Sequence, residues 1–411
     1  MTAPAPSALP GACDVLIVGA GPTGLLLAAL LARRGVDVLV LDRRERPGTH
    51  SRAIGLHPPA LAALERLGLA EAAVAAGEPI RSGRARSGGR DLGRLHFARA
   101  WPDRPFVLSL PQSRTEELLV ERLADLAPAA LRRGWEVVDL HQRPGAVDVV
   151  ARSVGARSRA TLRARVVVGA DGSRSRVRDL VGVTTTAVAY RDTYLMGDVA
   201  DPDGHTRRRE AVIHLEPAGV VESFPLPGGR RRWVAHTGST VVEATPAALA
   251  AIVRERTVER IDPDTATMIS EFTVRRRMVR KMVSTRAVLI GDAAHEISPI
   301  GGQGITVGWL DALALTPLLS GLPGCDDGGA LSDAPAFLRF ERRRTKAARR
   351  SARMAHLNMA LGRPAPKPVD RGRSLLVALL LGSPARYALA WIYSMGWARR
   401  QIGTASVRSA P

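Results

Sequence analysis

Three short stretches of the chain combine glycines with a carboxylate in a way that suits a phosphorylated, sugar-bearing ligand. The first is Gly19-Ala20-Gly21-Pro22-Thr23-Gly24, with Asp42 eighteen residues past its end. In such a loop the first glycine allows a tight turn and the second lets backbone approach a pyrophosphate. The third lets the following helix pack on the preceding strand. That helix offers unpaired N–H groups and a partial positive charge to phosphates, and Asp42 is placed to accept hydrogen bonds from a ribose. The second stretch is Gly169-Ala170-Asp171-Gly172-Ser173-Arg174-Ser175-Arg176-Val177-Arg178. The third is Gly291-Asp292-Ala293-Ala294-His295, running through Pro299 to Gly301-Gly302-Gln303-Gly304. Plainer readings exist: a simple turn for Asp171-Gly172 and a helix cap for Asp292. His295 and His57 are the residues that tempt one towards acid–base chemistry, although His57, just ahead of Pro58-Pro59, reads first as a helix-start residue. No metal-ligand cluster and no nucleophile-base-carboxylate set for hydrolysis is visible.

These residues need elements to hold them. Asp14-Val15-Leu16-Ile17-Val18 is a continuous apolar run, as expected of a strand buried on both faces. Gly24 to Arg34 reads as an Ala/Leu-rich helix capped by Gly35, and Val36 to Leu41 as a second buried strand, giving a right-handed β-α-β unit. Leu61–Leu67 and Glu116–Leu123 read as further helices. Arg165–Val168 and Ala287–Ile290 repeat the pattern of apolar strand, then glycine, then aspartate, and open α/β sheets bind ligands at such strand ends. Between them, runs such as Thr193–Val199, Val220–Leu226 and Arg232–Ala235, separated by Pro and Gly turns, predict an antiparallel sheet. The expected fold is α/β: a Rossmann-like dinucleotide-binding domain of residues 12–182 and 283–370, with 183–282 inserted as a β-sheet substrate domain. Residues 76–107 contribute partly to that substrate domain, and 371–411 form a C-terminal helical segment.

Composition narrows the function classes. The 411 residues carry a formal net charge of +20, which by itself would suit nucleic acid or an anionic membrane. Lys281, Lys346 and Lys367 are the only lysines, and the arginines are spread along the chain with one dense run at Arg342–Arg350. That pattern points to GC-rich codon usage, and the few aromatics are not interleaved with basic residues to form a stacking platform for bases. Cys13 and Cys325 form no disulfide framework, which fits a reducing cytoplasm. The Pro/Ala-rich start does not read as a signal peptide. The uncharged stretches Ser374–Ala385 and Tyr387–Ala398 are each shorter than the ~20 residues that span a bilayer. A packed helix pair is the expected reading there, with peripheral membrane contact the lesser one. Nothing in the sequence bears on oligomeric state.

Taken together the three motifs resemble the class A flavoprotein monooxygenases, the para-hydroxybenzoate hydroxylase-like family, in order and spacing over roughly residues 12 to 350. The resemblance implies glutathione-reductase-type binding of FAD in an extended pose. Gly19, Gly21, Pro22, Thr23 and Gly24 would lie on the pyrophosphate, with Asp42 and Arg43 at the adenosine end. Asp171 and Gly172 would sit near the cofactor, in a motif also linked to NAD(P)H use. Gly291 and Asp292 would face the ribityl chain, and Gly302, Gln303, Gly304 and Ile305 would open a helix whose positive end meets the flavin N1–C2=O edge. Arg52, in Ser51-Arg52-Ala53, together with Pro299 and Gly301 would flank the reacting face, and Gln112 and Arg114 would touch the cofactor. For Arg52, Gln112 and Arg114 the plainer reading is a solvated surface side chain. The resemblance implies that His295 is mainly structural or near the cofactor. The chain departs from the family at Thr306, where asparagine is common.

The resemblance also implies the reaction of a single-component aromatic hydroxylase. NAD(P)H would reduce FAD, O₂ would add at flavin C4a to give a hydroperoxide, and its terminal oxygen would pass to an electron-rich, usually phenolic ring. The substrate cavity would lie between the inserted sheet, around 193–237, and the flavin. Leu110-Pro111-Gln112 followed by Thr115-Glu116 is closest to hydroxylases of aromatic polyketides, so a tailoring enzyme of antibiotic biosynthesis is the expectation. With the sequence ending at Pro411, the thioredoxin-like domain of larger relatives is not expected. The alternatives are isoprenoid double-bond reduction, halogenation (without the W-x-W-x-I-P signature) and a non-catalytic nucleotide-fold binding module. NADPH against NADH, the substrate and its regiochemistry stay open.

Overall fold

The computed structural model describes residues 8–48, 53–155, 158–201, 210–238, 243–322 and 328–402. The chain begins with β1 (Ala12–Val18), α1 (Pro22–Ala32) and β2 (Val38–Asp42). Gly24 to Leu31 of α1 are all buried, so this helix is apolar all round and lies inside the domain. Next come β3 (Gly55–Leu56), α2 (Pro58–Glu65), α3 (Ala70–Ala76), β4 (Glu78–Ile80), β5 (Ser82–Ser87), β6 (Arg90–His96) and β7 (Val107–Ser109). Then follow α4 (Gln112–Leu126), β8 (Leu131–Arg133), β9 (Trp135–Arg143), β10 (Ala146–Ser153), β11 (Arg159–Gly169) and α5 (Arg176–Leu180). The middle of the chain forms β12 (Thr185–Ala200), β13 (Glu210–His214), β14 (Val221–Leu226), β15 (Arg230–Gly238), α6 (Pro246–Arg256) and β16 (Met268–Val279). The last part holds β17 (Ala287–Leu289), β18 (His295–Glu296), α7 (Gly304–Ser320), α8 (Pro335–Gly362), α9 (Lys367–Gly382), α10 (Ala385–Tyr393) and α11 (Arg399–Ile402).

Two larger sheets organise these elements. The first runs β8-β2-β1-β11-β10-β9, with β17 also paired to β11. Its parallel centre pairs Val15–Val18 with Val38–Leu41 on one side and with Val166–Gly169 on the other. The carboxyl ends of β1, β2, β11 and β17 therefore gather at one edge, which brings the three glycine–carboxylate motifs together. A single apolar core joins this sheet to α1, α4 and α7.

The second sheet runs β18-β16-β12-β15-β14-β13-β5-β6. It takes in β5 and β6 from the 76–107 stretch. It differs from the sequence expectation in recruiting β18 from downstream and in its parallel β13–β5 contact, so it is not wholly antiparallel. The 183–282 stretch also contains α6, whose Thr245 Oγ1 caps the helix by accepting from Ala248 N–H at 3.2 Å. One face of the sheet packs on α6 through Leu195, Val221, Trp233, Leu249 and Val253. The other presents Tyr194, Met196, Val234 and Phe272 toward α8 and the first domain. The C-terminal segment forms the expected helix pair, α9 and α10, bent by 97°. No single helix among the described residues is long and apolar enough to cross a membrane.

Candidate active site

The first loop has the geometry its glycines require. Gly19 has φ +107, and a Cβ there would lie 2.5 Å from the Ala170 carbonyl oxygen. A Cβ on Gly24 would lie 2.0 Å from the Gly19 carbonyl oxygen, so Gly24 is a packing glycine and does not itself line the cavity. Gly21 differs from both, because nothing lies within 4 Å of a Cβ built on it. The first intrahelical bond of α1 runs from Leu25 N–H to the Gly21 carbonyl. The N–H groups of Thr23 and Gly24 precede it and have no acceptor within the helix, while Pro22 has none to satisfy.

The three predicted carboxylates have different surroundings. Asp42 accepts from Ala20 N–H at 2.7 Å, from Arg44 N–H at 2.7 Å and from the Arg44 guanidinium at 3.1 Å on each oxygen. Burial pushes this carboxyl up, but Arg44 and the backbone donors outweigh it and hold it below the usual range. Arg44 was not predicted; the sequence reading chose its neighbour Arg43, and both line the cavity. Asp171 caps α5, accepting from Ser175 Oγ at 2.5 Å, Arg176 N–H at 2.7 Å and Val177 N–H at 3.0 Å. Burial nonetheless leaves its pKa raised. The turn at Gly172 has φ +80. Asp292 makes no hydrogen bond to the described protein. Its carboxyl is ringed by protein yet open to the cavity, and these surroundings push its pKa up to about 6.

A second loop and helix complete the floor. Gly302 N–H bonds the Pro299 carbonyl at 2.9 Å, with Gly301 at φ +101 and Gly302 at φ +66, and α7 begins two residues later. Pro299, Gly301, Gly302, Gly304 and Ile305 all line the cavity. The first bond of α7 is Val307 N–H to the Gln303 carbonyl, so the N–H groups of Gly304, Ile305 and Thr306 precede it at the positive end of the helix. Gln303 itself turns away, its Nε2 donating to the Tyr393 carbonyl at 3.3 Å. Thr306 is fully buried off the lining, with a hydroxyl that finds no partner. His57 is buried, and its Nε2 meets the Gly301 carbonyl at 3.2 Å. Burial lowers its pKa to about 4, which makes the ring neutral and the Nε2–H the donor. His57 therefore braces the Gly301 turn.

Beneath the third motif lies a charge network that the sequence reading missed. Asp311 on α7 accepts from Arg344 Nε at 2.6 Å and pairs with His295 Nε2 at 2.6 Å. It also accepts from Gly291 N–H at 3.1 Å. His295 is thus structural. Gly291 packs behind the cavity, where a Cβ would meet Thr23 Oγ1 at 3.0 Å, and Gly308 is a further unpredicted glycine with a Cβ position only 2.6 Å from the same atom. Gln112 lines the cavity and donates from Nε2 to Glu116 at 2.8 Å. Arg114 does not line it; two residues further along α4, it faces solvent and pairs with Glu117 at 2.9 Å. Arg52 lies outside the described residues.

All of this opens into one cavity of about 1120 Å³. Ligand pockets run from about 300 to 1,000 Å³, so this one is at the large end, as a dinucleotide-sized ligand requires. One half is walled by the Gly19 loop, Asp42, Asp171 and Asp292. The other is apolar, walled by Met196, Ile213, Val234 and Phe272 of the second sheet and by Leu381 and Tyr393 of the C-terminal helices. The Pro299–Gly302 turn borders the same cavity, and His57 ties its Gly301 carbonyl to Tyr393 of the apolar wall.

A family profile described as an FAD binding domain matches residues 12–323. The chain belongs to this FAD-binding family. It is 37% identical over 308 residues to a 6-methylpretetramide 4-monooxygenase of Streptomyces rimosus, covering 74% of this chain and 54% of that protein. Among solved structures it resembles an anhydrotetracycline hydroxylase from Streptomyces rimosus at 28% identity and TM-score 0.73, covering 93% of this chain and 76% of that one. It shares its fold with a p-nitrophenol 4-monooxygenase from Pseudomonas putida DLL-E4 at 23% identity and TM-score 0.82, covering 97% and 100% of the two chains. The chain spans 54% to 63% of the length of the three curated relatives it matches first. The family's cofactor is FAD, and the geometry fits it. Gly21 leaves room for a pyrophosphate, α1 and α7 point N-termini into the cavity, and Asp292 is an unpartnered acceptor open to it.

Proposed function

We propose that this protein is an FAD- and NAD(P)H-dependent monooxygenase that hydroxylates a phenolic or polyketide-type aromatic substrate. The observation that carries the reading is one cavity lined both by the three glycine–carboxylate motifs and by apolar side chains of the second sheet and the C-terminal helices. The relatives' names support it, since one is a monooxygenase of 6-methylpretetramide and another of 12-dehydrotetracycline and anhydrotetracycline. Bound there, FAD would take electrons from NAD(P)H and activate O₂ for insertion into the ring. The chain's own part is positional and electrostatic. The Gly19 loop and the start of α1 hold the pyrophosphate, and Asp42, with Arg43 and Arg44 beside it, takes the adenosine end. Asp292 accepts from the ribityl hydroxyls, and the start of α7 places a fixed positive end against the flavin edge. His57 holds the Gly301 turn rigid at that edge, and the apolar wall excludes water from the reacting face.

Incubating FAD-loaded protein with NADPH, O₂ and a set of polycyclic phenols tests this. Substrate-stimulated NADPH consumption and a product one oxygen heavier are expected. No stimulation across the set would count against the reading, and a product heavier by two hydrogens would favour double-bond reduction instead. The apolar C-terminal helices on the cavity wall are what keep that second reading alive.

The cofactor assignment has its own test. Asp292→Ala should weaken FAD binding about 10- to 100-fold, the worth of a hydrogen bond to a charged group. Wild-type affinity should fall as pH drops through about 6, where the Asp292 carboxylate takes up a proton and the charge-assisted bond is lost. Arg114→Ala, on the solvent side of α4, should bind FAD as wild type does. Fluorescence titration of apoprotein reads all three, and an Asp292→Ala protein that binds FAD normally would remove this role.

A further inference from the structure

We propose that Glu222 is the residue that recognises the substrate's phenolic hydroxyl and takes its proton. This rests on the hydroxylase reading above. Seven acidic side chains line the cavity, and five are engaged. Asp42 is held by Arg44, Glu116 by Gln112, Glu136 by Arg152, Asp171 by the start of α5, and Glu296 faces Arg277 at 4.0 Å. Of these seven, Asp292 and Glu222 have neither a hydrogen bond nor an ion pair among the described residues, and Glu296 has the ion pair alone. The two stand in different halves of the cavity, Asp292 with the cofactor motifs and Glu222 on the wall of the second sheet.

The register of that sheet shows how isolated Glu222 is. Ile213, Glu222, Val234 and Met196 are successive cross-strand neighbours on β13, β14, β15 and β12, and all four face the cavity. Glu222 is the one polar member of this row. Leaving a carboxyl unpaired on an apolar wall costs stability, so its presence calls for a ligand that pairs with it. Burial alone pushes its pKa up to about 7, which makes it a proton acceptor matched to neutral pH. The titratable groups that feel it are Tyr194 from β12 and Tyr393 from α10, both pushed by burial to remain neutral. Its strand neighbours Ile213 and Val234 are apolar.

Tyr393 links this wall to the cofactor half. Its ring lies 5.7 Å from His57, edge-on, and 5.8 Å from Phe97, stacked. His57 in turn holds the Gly301 carbonyl. A flat ring lying along these aromatics, with its hydroxyl at Glu222, would reach toward the Gly301 turn. In the step itself the phenolic O–H bond breaks and the proton passes to a Glu222 carboxylate oxygen. The electron pair stays on the ring oxygen, giving the phenolate that is more reactive toward oxygen insertion. The proton returns when product leaves. A carboxylate cannot donate, so the site selects phenols over aromatic carboxylates. The cations that the second sheet adds to the lining do not reverse this: Arg84 is paired with Glu210 at 2.8 Å, Arg232 with Asp198 at 2.7 Å, and Arg275 is exposed.

The probe is 2-naphthol, a two-ring phenol that keeps its proton at neutral pH, against its methyl ether, with binding to FAD-loaded protein read by calorimetry. Wild type should prefer the phenol by about 10- to 100-fold, and Glu222→Leu should lose that preference while keeping its FAD. For a turned-over phenol, Glu222→Gln should lower kcat by about 100-fold at neutral pH, the lower end of general-base effects. Its rate should recover as pH rises toward the phenol's own ionisation, whereas the wild-type rate should rise through pH about 7 and level off. Equal binding of phenol and ether by wild type, or an unchanged pH profile in Glu222→Gln, would overturn the proposal. Loss of the binding preference without any turnover would instead retain Glu222 as the recognition group and reject the hydroxylase reading.

Discussion

Replacing Asp311 with alanine is expected to destabilise the fold by about 3–5 kcal/mol, the range for removing one partner of a buried charge pair. Asp311 has no exposed surface, and Arg344, its partner at 2.6 Å, is 2% exposed. Without the carboxylate, Arg344 would keep only neutral contacts, the Val307 carbonyl at 3.1 Å and Gln401 Oε1 at 2.6 Å. Gly291 N–H would lose its acceptor as well, and Gly291 is the residue before Asp292, so flavin retention should weaken together with stability. Burial raises the Asp311 carboxyl, but His295 and Arg344 prevail and hold it below its ordinary 3.8. A depressed carboxylate stabilises the fold above its ordinary pKa and loses that contribution as pH falls through the lowered one. The gap between wild type and Asp311→Ala should therefore be full at neutral pH and narrow below about pH 4. Urea denaturation at both pH values measures it. An Asp311→Ala protein within about 1 kcal/mol of wild type at pH 7 would show that the network contributes little.

Gly21→Val should do the reverse, leaving the fold intact and removing the cofactor. Gly21 has φ −83 and ψ 179, an extended conformation open to any residue, and a Cβ there meets nothing within 4 Å. The added methyls would occupy the space against which a pyrophosphate must lie. Overpacking of 1–3 kcal/mol corresponds to about 5- to 150-fold weaker FAD binding, with the melting of the apoprotein unchanged. Gly24→Ala three residues on should instead damage the fold itself, since its Cβ would sit 2.0 Å from the Gly19 carbonyl oxygen. Circular dichroism and FAD titration of the two variants separate the roles. If Gly21→Val bound FAD like wild type, the pyrophosphate would have to lie elsewhere.

Much of the first domain was legible in the sequence because its signals are local. The apolar run of β1, the glycines of the turn and the apolar helix α1 lie within a few residues of one another, and their periodicity reads directly. Thr245-Pro246 at the start of α6 is an equally local signal, a capping hydroxyl followed by proline, set among runs whose Pro and Gly turns predict strands. Arg44 was missed by one position: Arg43 and Arg44 both follow β2, and only the geometry shows which guanidinium folds back onto Asp42. Arg114 was misplaced for a related reason. It lies two residues from Gln112 on the same helix, and residues two apart on a helix do not share a face.

Other features depend on what the chain packs against. Arg344 belongs to a run of arginines that reads as a solvated basic surface, yet α8 lays this one member against Asp311 in the interior. In β14 the alternation Val221-Glu222-Ser223 reads as apolar inside and polar toward water. Here Val221 packs on α6, while the face that carries Glu222 looks into a cavity closed by helices from the other end of the chain. The sequence by itself determined the nucleotide-binding unit and the order of its three glycine–carboxylate motifs, because local backbone geometry dictates those residue types. Tertiary structure decided which carboxylates remain free. That depends on long-range partners, Arg344 for Asp311, Arg44 for Asp42 and none for Asp292 or Glu222, and spacing along the chain does not record them.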